Sequence, residues 1–134
     1  MSFIQTYFLR VYAIERSKQG QDDRAAHHEA LFQTRFLLFL PAVGLGSAAI
    51  VVVGRWSSSS LAILNEYRAF ITLAAIAGLA LTSFVLVGRA IRKIDNVPKM
   101  AETYSGPRDR VIPHVQFWCT LLLSLSLPFL VAAV

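Results

Sequence analysis

The stretch that decides the fold is 36-FLLFLPAVGLGSAAIVVVG-54, which runs for 19 residues without an Asp, Glu, Lys or Arg. Two further stretches have the same character, residues 69–87 and residues 115–134. A helix rises ~1.5 Å per residue, so each stretch can cross the ~30 Å hydrocarbon layer of a bilayer. The sequence therefore predicts an all-α membrane protein with three transmembrane helices, forming a single domain over residues 1–134.

The 13 Lys and Arg residues are distributed unevenly around these spans. Five precede the first span, two lie between the first and second, six lie between the second and third, and none follows the third. Segments rich in Lys and Arg usually stay in the cytoplasm. We therefore expect a bacterial inner-membrane protein with a cytoplasmic N-terminus and its C-terminus on the opposite side. Because topology accounts for the net charge of +5, nucleic acid is not an expected partner.

The segment between the second and third spans carries basic residues at its start and turn-forming residues later. Arg89, Arg92 and Lys93 directly follow the second span, where they should meet the headgroups of anionic lipids. Residues 99–113 contain Gly106-Pro107 and Pro113, a composition typical of a loop.

The N-terminal residues 2–17 predict an amphipathic helix that is too short and too polar to span a bilayer. Its apolar face carries Phe3, Tyr7, Phe8 and Tyr12 at three- and four-residue spacing. Such a helix either lies in the membrane interface or packs onto the helical bundle or a partner protein. It carries few Lys and Arg residues, and this favours contact with protein.

A second, longer helix should begin soon after the first ends. Gln19-Gly20-Gln21 interrupts the first helix, and Asp22 or Asp23 can cap the next. We expect that helix to continue to Arg55, with a kink at Pro41 because proline removes one backbone hydrogen bond. After it, residues 61–68 form either an interfacial helical lead-in to the second span or a short loop.

Small residues recur at four-residue spacing on the first two spans. Ala42 and Gly46 form such a pair on the first span, as do Gly44 and Ala48, and Ala74, Gly78 and Thr82 repeat the spacing on the second. Small side chains let membrane helices approach closely. The pattern predicts a tight hairpin of spans 1 and 2, with self-association through one of these faces as the alternative.

The third span carries a polar stripe formed by Gln116, Thr120 and Ser124, and Pro128 continues it. One interpretation is the lining of a pore or ligand site. The other is hydrogen bonding to the neighbouring spans or to a partner subunit. No ionisable residue lies in the stripe, so a proton relay through the membrane centre is not expected.

Four further side chains could in principle carry chemistry. His27, His28 and His114 should lie on the cytoplasmic side, as solvated or headgroup-level imidazoles, although His114 could belong to a haem or quinone site. Cys119 lies within the third span and is expected to be a buried small hydrophobe. The sequence has no catalytic motif and no zinc-like ligand spacing, so we expect neither enzyme activity nor a cofactor.

The layout of an amphipathic segment, three spans and a basic second loop resembles small inner-membrane families. One such family opens its first span with an Asn-Glu-Arg-Thr-Phe-Leu-Ala-Trp motif. Only Glu29 and Phe32 keep the spacing of that motif here, so we transfer no property of the family to this chain.

The leading hypothesis for the function is a non-catalytic accessory or assembly subunit of a larger membrane complex. The alternatives are a homo-oligomeric pore, either holin-like or a defence effector, and the membrane anchor of a redox complex.

Overall fold

The computed structural model describes residues 1–18, 20, 22–56 and 66–134, and the fold within these ranges is helical. Three of the helices are long and apolar enough to cross a membrane, which confirms the predicted all-α class and the three spans. The five helices of the described residues are α1 (Phe3–Lys18), α2 (Asp23–Trp56), α3 (Arg68–Ile91), α4 (Val97–Glu102) and α5 (Pro107–Ala133).

Short polar signals start and separate the first two helices. Ser2 and Gln5 form a reciprocal capping pair, in which the Ser2 backbone N–H donates to Gln5 Oε1 at 2.9 Å and the Gln5 N–H donates to the Ser2 hydroxyl. Gly20 has a φ of 61°, a left-handed conformation that glycine adopts without steric cost. Asp22 Oδ1 accepts the backbone N–H of Arg24 at 3.0 Å, which confirms the predicted cap of α2.

The second helix passes through Pro41 without interruption, as a single helix of 34 residues. This confirms the long helix expected from Asp22 to Arg55. The bend at Pro41 stays a prediction, because continuity of the helix does not measure its curvature. The choice between a helical lead-in and a loop at residues 61–68 concerns a segment that lies mostly outside the described residues.

The prediction of a loop over residues 99–113 is wrong, because most of this segment is helical. The helix α4 follows Asn96, whose φ of 53° makes the turn after α3, and α5 already begins at Pro107. Proline is well suited to the first position of a helix, where its missing N–H would have no partner in any case. Pro113, buried within α5, does not end the helix. The third span therefore has about two additional helical turns at its N-terminal end.

The apolar face of α1 forms the centre of the hydrophobic core. Phe8 and Leu9 are fully buried, and Tyr7, Val11 and Tyr12 are nearly so. They pack with buried residues of the other helices, among them Ala26, Ala30, Leu37, Val87, Ile91 and Ala101. Small side chains at positions 26 and 30 let α1 lie close to α2. The sequence left open whether this helix lies in the membrane interface or packs onto the bundle or a partner, and the structure shows it packed onto the chain's own bundle.

Polar contacts also connect α1 to the other helices. Gln5 Nε2 donates to the Ala90 carbonyl at the end of α3 at 2.9 Å. Arg10 Nε pairs with Asp109 Oδ1 of α5 at 2.9 Å, and both side chains are mostly buried. The Tyr12 hydroxyl donates to Asp23 Oδ1 at the start of α2 at 2.9 Å. The helix α1 is thus held to all three long helices.

The spans α2 and α5 approach each other closely at Gly44 and Ser124. A Cβ placed on Gly44 would lie 2.7 Å from the Ser124 carbonyl oxygen and 2.9 Å from Ser124 Cα. At Gly46 and Gly78, in contrast, an added Cβ would meet nothing within 4 Å. The prediction that spans 1 and 2 form a tight hairpin through close contact at these two glycines is therefore wrong within this chain. The small residues of α2 that are packed are instead Gly44, which lies against Ser124, and Ala48, which is buried.

The contact at Ser124 involves a carbonyl that Pro128 leaves without its intrahelical partner. A proline has no N–H, so the Ser124 carbonyl four residues earlier lacks its usual intrahelical donor. That carbonyl lies against Gly44, where the absence of a side chain lets the α2 backbone approach. At the C-terminal ends of the same two helices, the Arg55 guanidinium donates to the Ala132 carbonyl in the last turn of α5.

Replacing Gly44 with alanine should destabilise the protein by about 1–3 kcal/mol, because the new methyl group must displace the α5 backbone. The measurement is the free energy of unfolding of the detergent-solubilised protein. The matched control is Gly46→Ala, which adds the same methyl group into open space and should leave stability unchanged or raise it by up to ~1 kcal/mol. Equal effects of the two substitutions would contradict the α2–α5 contact.

Candidate functional site

A cleft of about 400 Å³ lies where α1 crosses α2 and α5. We call it the aromatic cleft. Its size falls within the range of ~300–1,000 Å³ typical of small-molecule sites, and its lining combines apolar walls with a few polar groups. The lining residues are Tyr7, Val11, Ile14, Glu15, Phe32, Gln33, Phe36, Pro113, His114, Phe117 and Trp118.

Stacked aromatic rings form one wall of the cleft. Phe36 of α2 stacks on Phe117 of α5, with ring centroids 6.0 Å apart. Phe32 extends the stack along α2 at 6.3 Å, and Trp118 meets Phe117 edge-on at 5.9 Å. Three of these rings lie at the start of the first and third apolar stretches and Phe32 lies one turn before the first, a region where aromatic side chains commonly mark the membrane interface. The wall therefore suits a flat or chain-like apolar group.

Tyr7 and Glu15 supply polar groups from α1. The Tyr7 side chain is almost fully buried and lines the cleft. Burial raises the pKa of Tyr7 to about 12, so the hydroxyl remains a neutral donor at physiological pH. Glu15 is also buried, and its Oε1 atom accepts a hydrogen bond from Lys18 Nζ at 2.8 Å, so the two side chains form an ion pair. The cleft thus offers a hydroxyl donor and a carboxylate that is already partly neutralised.

His114 and Gln33 complete the polar lining. The His114 imidazole is exposed, and Gln33 Nε2 donates to Glu29 one turn earlier on α2. His114 is the one histidine among the lining residues, so the cleft lacks the facing pair of imidazoles that a bis-histidine haem needs. An apolar ring with polar substituents, held by hydrogen bonds, matches this lining better. In the part of the chain that the structure describes, no three His, Cys, Asp or Glu side chains are grouped to hold a metal ion.

The aromatic residues predicted to contact a partner divide into two groups. Tyr7, Phe8 and Tyr12 are buried within this chain, so they are not available to a second protein. Phe3 is 57% exposed and stacks on Tyr7 at 6.4 Å. The assignment of the whole face to a partner is therefore corrected, because the chain's own α2 covers most of it.

The other predicted residues lie in different places. His27 is half-buried and meets the Phe8 ring edge-on at 5.2 Å, so it is not the solvated imidazole expected, whereas His28 is exposed. Cys119 is exposed on the surface of α5, which corrects its expected burial. Arg89, Arg92 and Lys93 are exposed at the end of α3, and this placement is compatible with headgroup contact.

The polar stripe of α5 lies half-buried along the bundle. Gln116, Thr120 and Ser124 are all partly covered, and Ser124 packs directly against α2. The Gln116 Oε1 atom is buried and accepts no hydrogen bond from the described residues. The stripe therefore does not face an open channel in a single chain.

Sequence reasoning missed Glu15, Phe36, Phe117 and Trp118 as lining residues. The available signal was positional, since three of them are aromatic residues within the first turns of two apolar stretches. What joins them is the crossing of α1 over α2 and α5, which no local pattern specifies.

Comparison with known proteins adds no relative. No protein-family model matches the chain, and searches of curated proteins and of solved structures find no match.

Proposed function

We propose that this chain is a non-catalytic membrane subunit, an accessory or assembly component of a larger complex in the bilayer. The observation that carries the proposal is an open small-residue face on α3. Ala74, Gly78 and Thr82 are exposed at four-residue spacing, and space is open beyond Gly78. Membrane helices associate through such faces, because close backbone packing replaces the missing hydrophobic drive.

The surroundings of this face support a partner helix. Large apolar side chains at Leu81, Val85 and Leu86 are exposed beside it, and each can pack around a helix seated over the small residues. The Thr82 hydroxyl is already satisfied by the Gly78 carbonyl at 2.8 Å, so covering it leaves no unpaired donor. Our proposal is that a helix of a different, larger chain occupies this position.

The orientation belongs to the same proposal. With the N-terminus and the α3–α5 connection in the cytoplasm, 11 of the 13 Lys and Arg residues face that side. Exposed Arg89, Arg92 and Lys93 would then meet the anionic lipids of the inner leaflet of a bacterial inner membrane.

The two alternatives differ in their support. A homo-oligomeric pore lined by Gln116, Thr120 and Ser124 would require these half-buried residues to turn away from α2. A redox anchor is favoured by the aromatic cleft, where the Tyr7 hydroxyl and His114 could hold the polar substituents of a quinone ring. This second function is compatible with an accessory role, since a redox complex would supply the larger partner.

Gentle solubilisation from the native membrane, followed by mass determination and identification of co-migrating chains, tests the proposed function. We expect co-migration with different, larger chains, and loss of that co-migration in Gly78→Leu. Because an added Cβ at Gly78 would meet nothing within 4 Å among the described residues, and the position is exposed, the variant should keep the thermal stability of the isolated protein.

Two results would contradict the accessory role or the interface proposed for it. One is a single species at a multiple of 14.8 kDa, which would favour the homo-oligomeric pore. The other is unchanged co-migration of the partner with Gly78→Leu, which would remove the α3 face from the interface.

Labelling of single cysteines in a Cys119→Ala background tests the orientation. Ser105→Cys should react with a membrane-impermeant maleimide only from the cytoplasmic side, and Tyr67→Cys only from the external side, since both positions are exposed. The reverse pattern in intact cells would overturn the proposed topology. Position Ser58, which also belongs to the external connection in this topology, lies outside the described residues.

A further inference from the structure

A second groove lies on the opposite side of the Phe32–Phe36 pair, between α2 and α3. Its volume is about 330 Å³, and its lining is mostly apolar. Arg35 is the one cation in it, surrounded by Phe32, Phe36 and Phe39 of α2 and by Ser83 and Phe84 of α3.

The Arg35 guanidinium is held in place but has no counter-charge. Its Cζ atom lies 3.7 Å from the centroid of the Phe84 ring, a cation–π contact that fixes the plane of the group. Its Nε atom is buried and makes no hydrogen bond to the described residues. All eight Asp and Glu side chains of the protein are among those residues, and none forms an ion pair with Arg35.

The position of the groove defines which anions can reach it. Arg35 directly precedes the first apolar stretch, and Phe84 lies in the last helical turn of the second. The groove is therefore at the boundary between hydrocarbon and headgroups. Phe32 and Phe84 are 61% and 55% exposed, so the groove opens sideways, toward the surrounding lipid.

We propose that this groove binds one anionic phospholipid, with its phosphate diester paired to Arg35 and its glycerol and upper acyl carbons against the phenylalanine rings. A guanidinium offers several N–H donors in a planar fork that matches phosphate oxygens. Basic pockets between membrane helices are known places for anionic headgroups. The proposal is independent of the accessory-subunit function, because it concerns a different pair of helix faces.

Native mass spectrometry of the delipidated protein tests the site. The probes are phosphatidylglycerol and phosphatidylcholine with identical acyl chains. We expect one phosphatidylglycerol to be retained per chain, at least ~10-fold more tightly than phosphatidylcholine, and Arg35→Gln to weaken it by ~10-fold. Arg108→Gln, which removes the same charge from an exposed position outside the groove, should change binding less than ~2-fold.

Phe84→Leu provides a second variant, which keeps the charge but removes the ring that orients it. It should also weaken retention of phosphatidylglycerol, and it tests the same groove if Arg35→Gln does not fold. Wild-type retention by Phe84→Leu and by a folded Arg35→Gln would overturn the proposal. So would equal losses in Arg35→Gln and Arg108→Gln, which would indicate general surface charge. Displacement of the lipid by millimolar inorganic phosphate would assign the site to a free anion instead.

Discussion

Burial of the aromatic face of α1 against α2 is the interaction on which the rest of this structure depends. Lipid tails are as apolar as leucine, so apolar side chains gain little by moving from lipid to a helix contact. Most side chains of the three spans are accordingly exposed on the bundle surface, and the apolar window of the third span has no buried residue. The core is instead concentrated where α1 crosses the long helices. Each fully buried large side chain there contributes about 1.5–3 kcal/mol if this end of the bundle is in water.

This arrangement explains where the two candidate ligand sites lie. The aromatic cleft lies where α1 crosses α2 and α5, and all three helices contribute to its lining. On the other face of α2, the contact with α3 leaves the groove at Arg35. Phe32 and Phe36 belong to both linings, so α2 is the shared wall of the two sites. The α3 face that contains Gly78 points away from the neighbouring spans and remains available to a partner helix.

The sequence was sufficient for the features that local chemistry determines. The three spans, the unbroken α2 and the Asp22 cap follow from hydropathy, helix propensity and hydrogen-bonding geometry, and the structure has all three. Features that depend on which faces meet were not accessible. The sequence offers both the Ala42–Gly46 and the Gly44–Ala48 pair and does not decide between them, whereas in the structure Gly44 lies against Ser124 of α5. An aromatic amphipathic helix likewise does not specify whether it covers its own chain or another, and Arg35 acquires its role only from Phe84 on the neighbouring helix.

The most direct test of the placement of α1 is a double-mutant cycle between Arg10 and Asp109, which pair across 99 positions of the chain. The quantity measured is the free energy of unfolding in lipid nanodiscs, for Arg10→Asp, Asp109→Arg and the charge-exchanged double variant. If α1 lies against α5 as described, each single substitution is destabilising and the double variant recovers stability, with a coupling of about 1 kcal/mol. Effects that add within ~0.3 kcal/mol would mean that the two side chains do not meet, and would contradict the position of α1 in this fold.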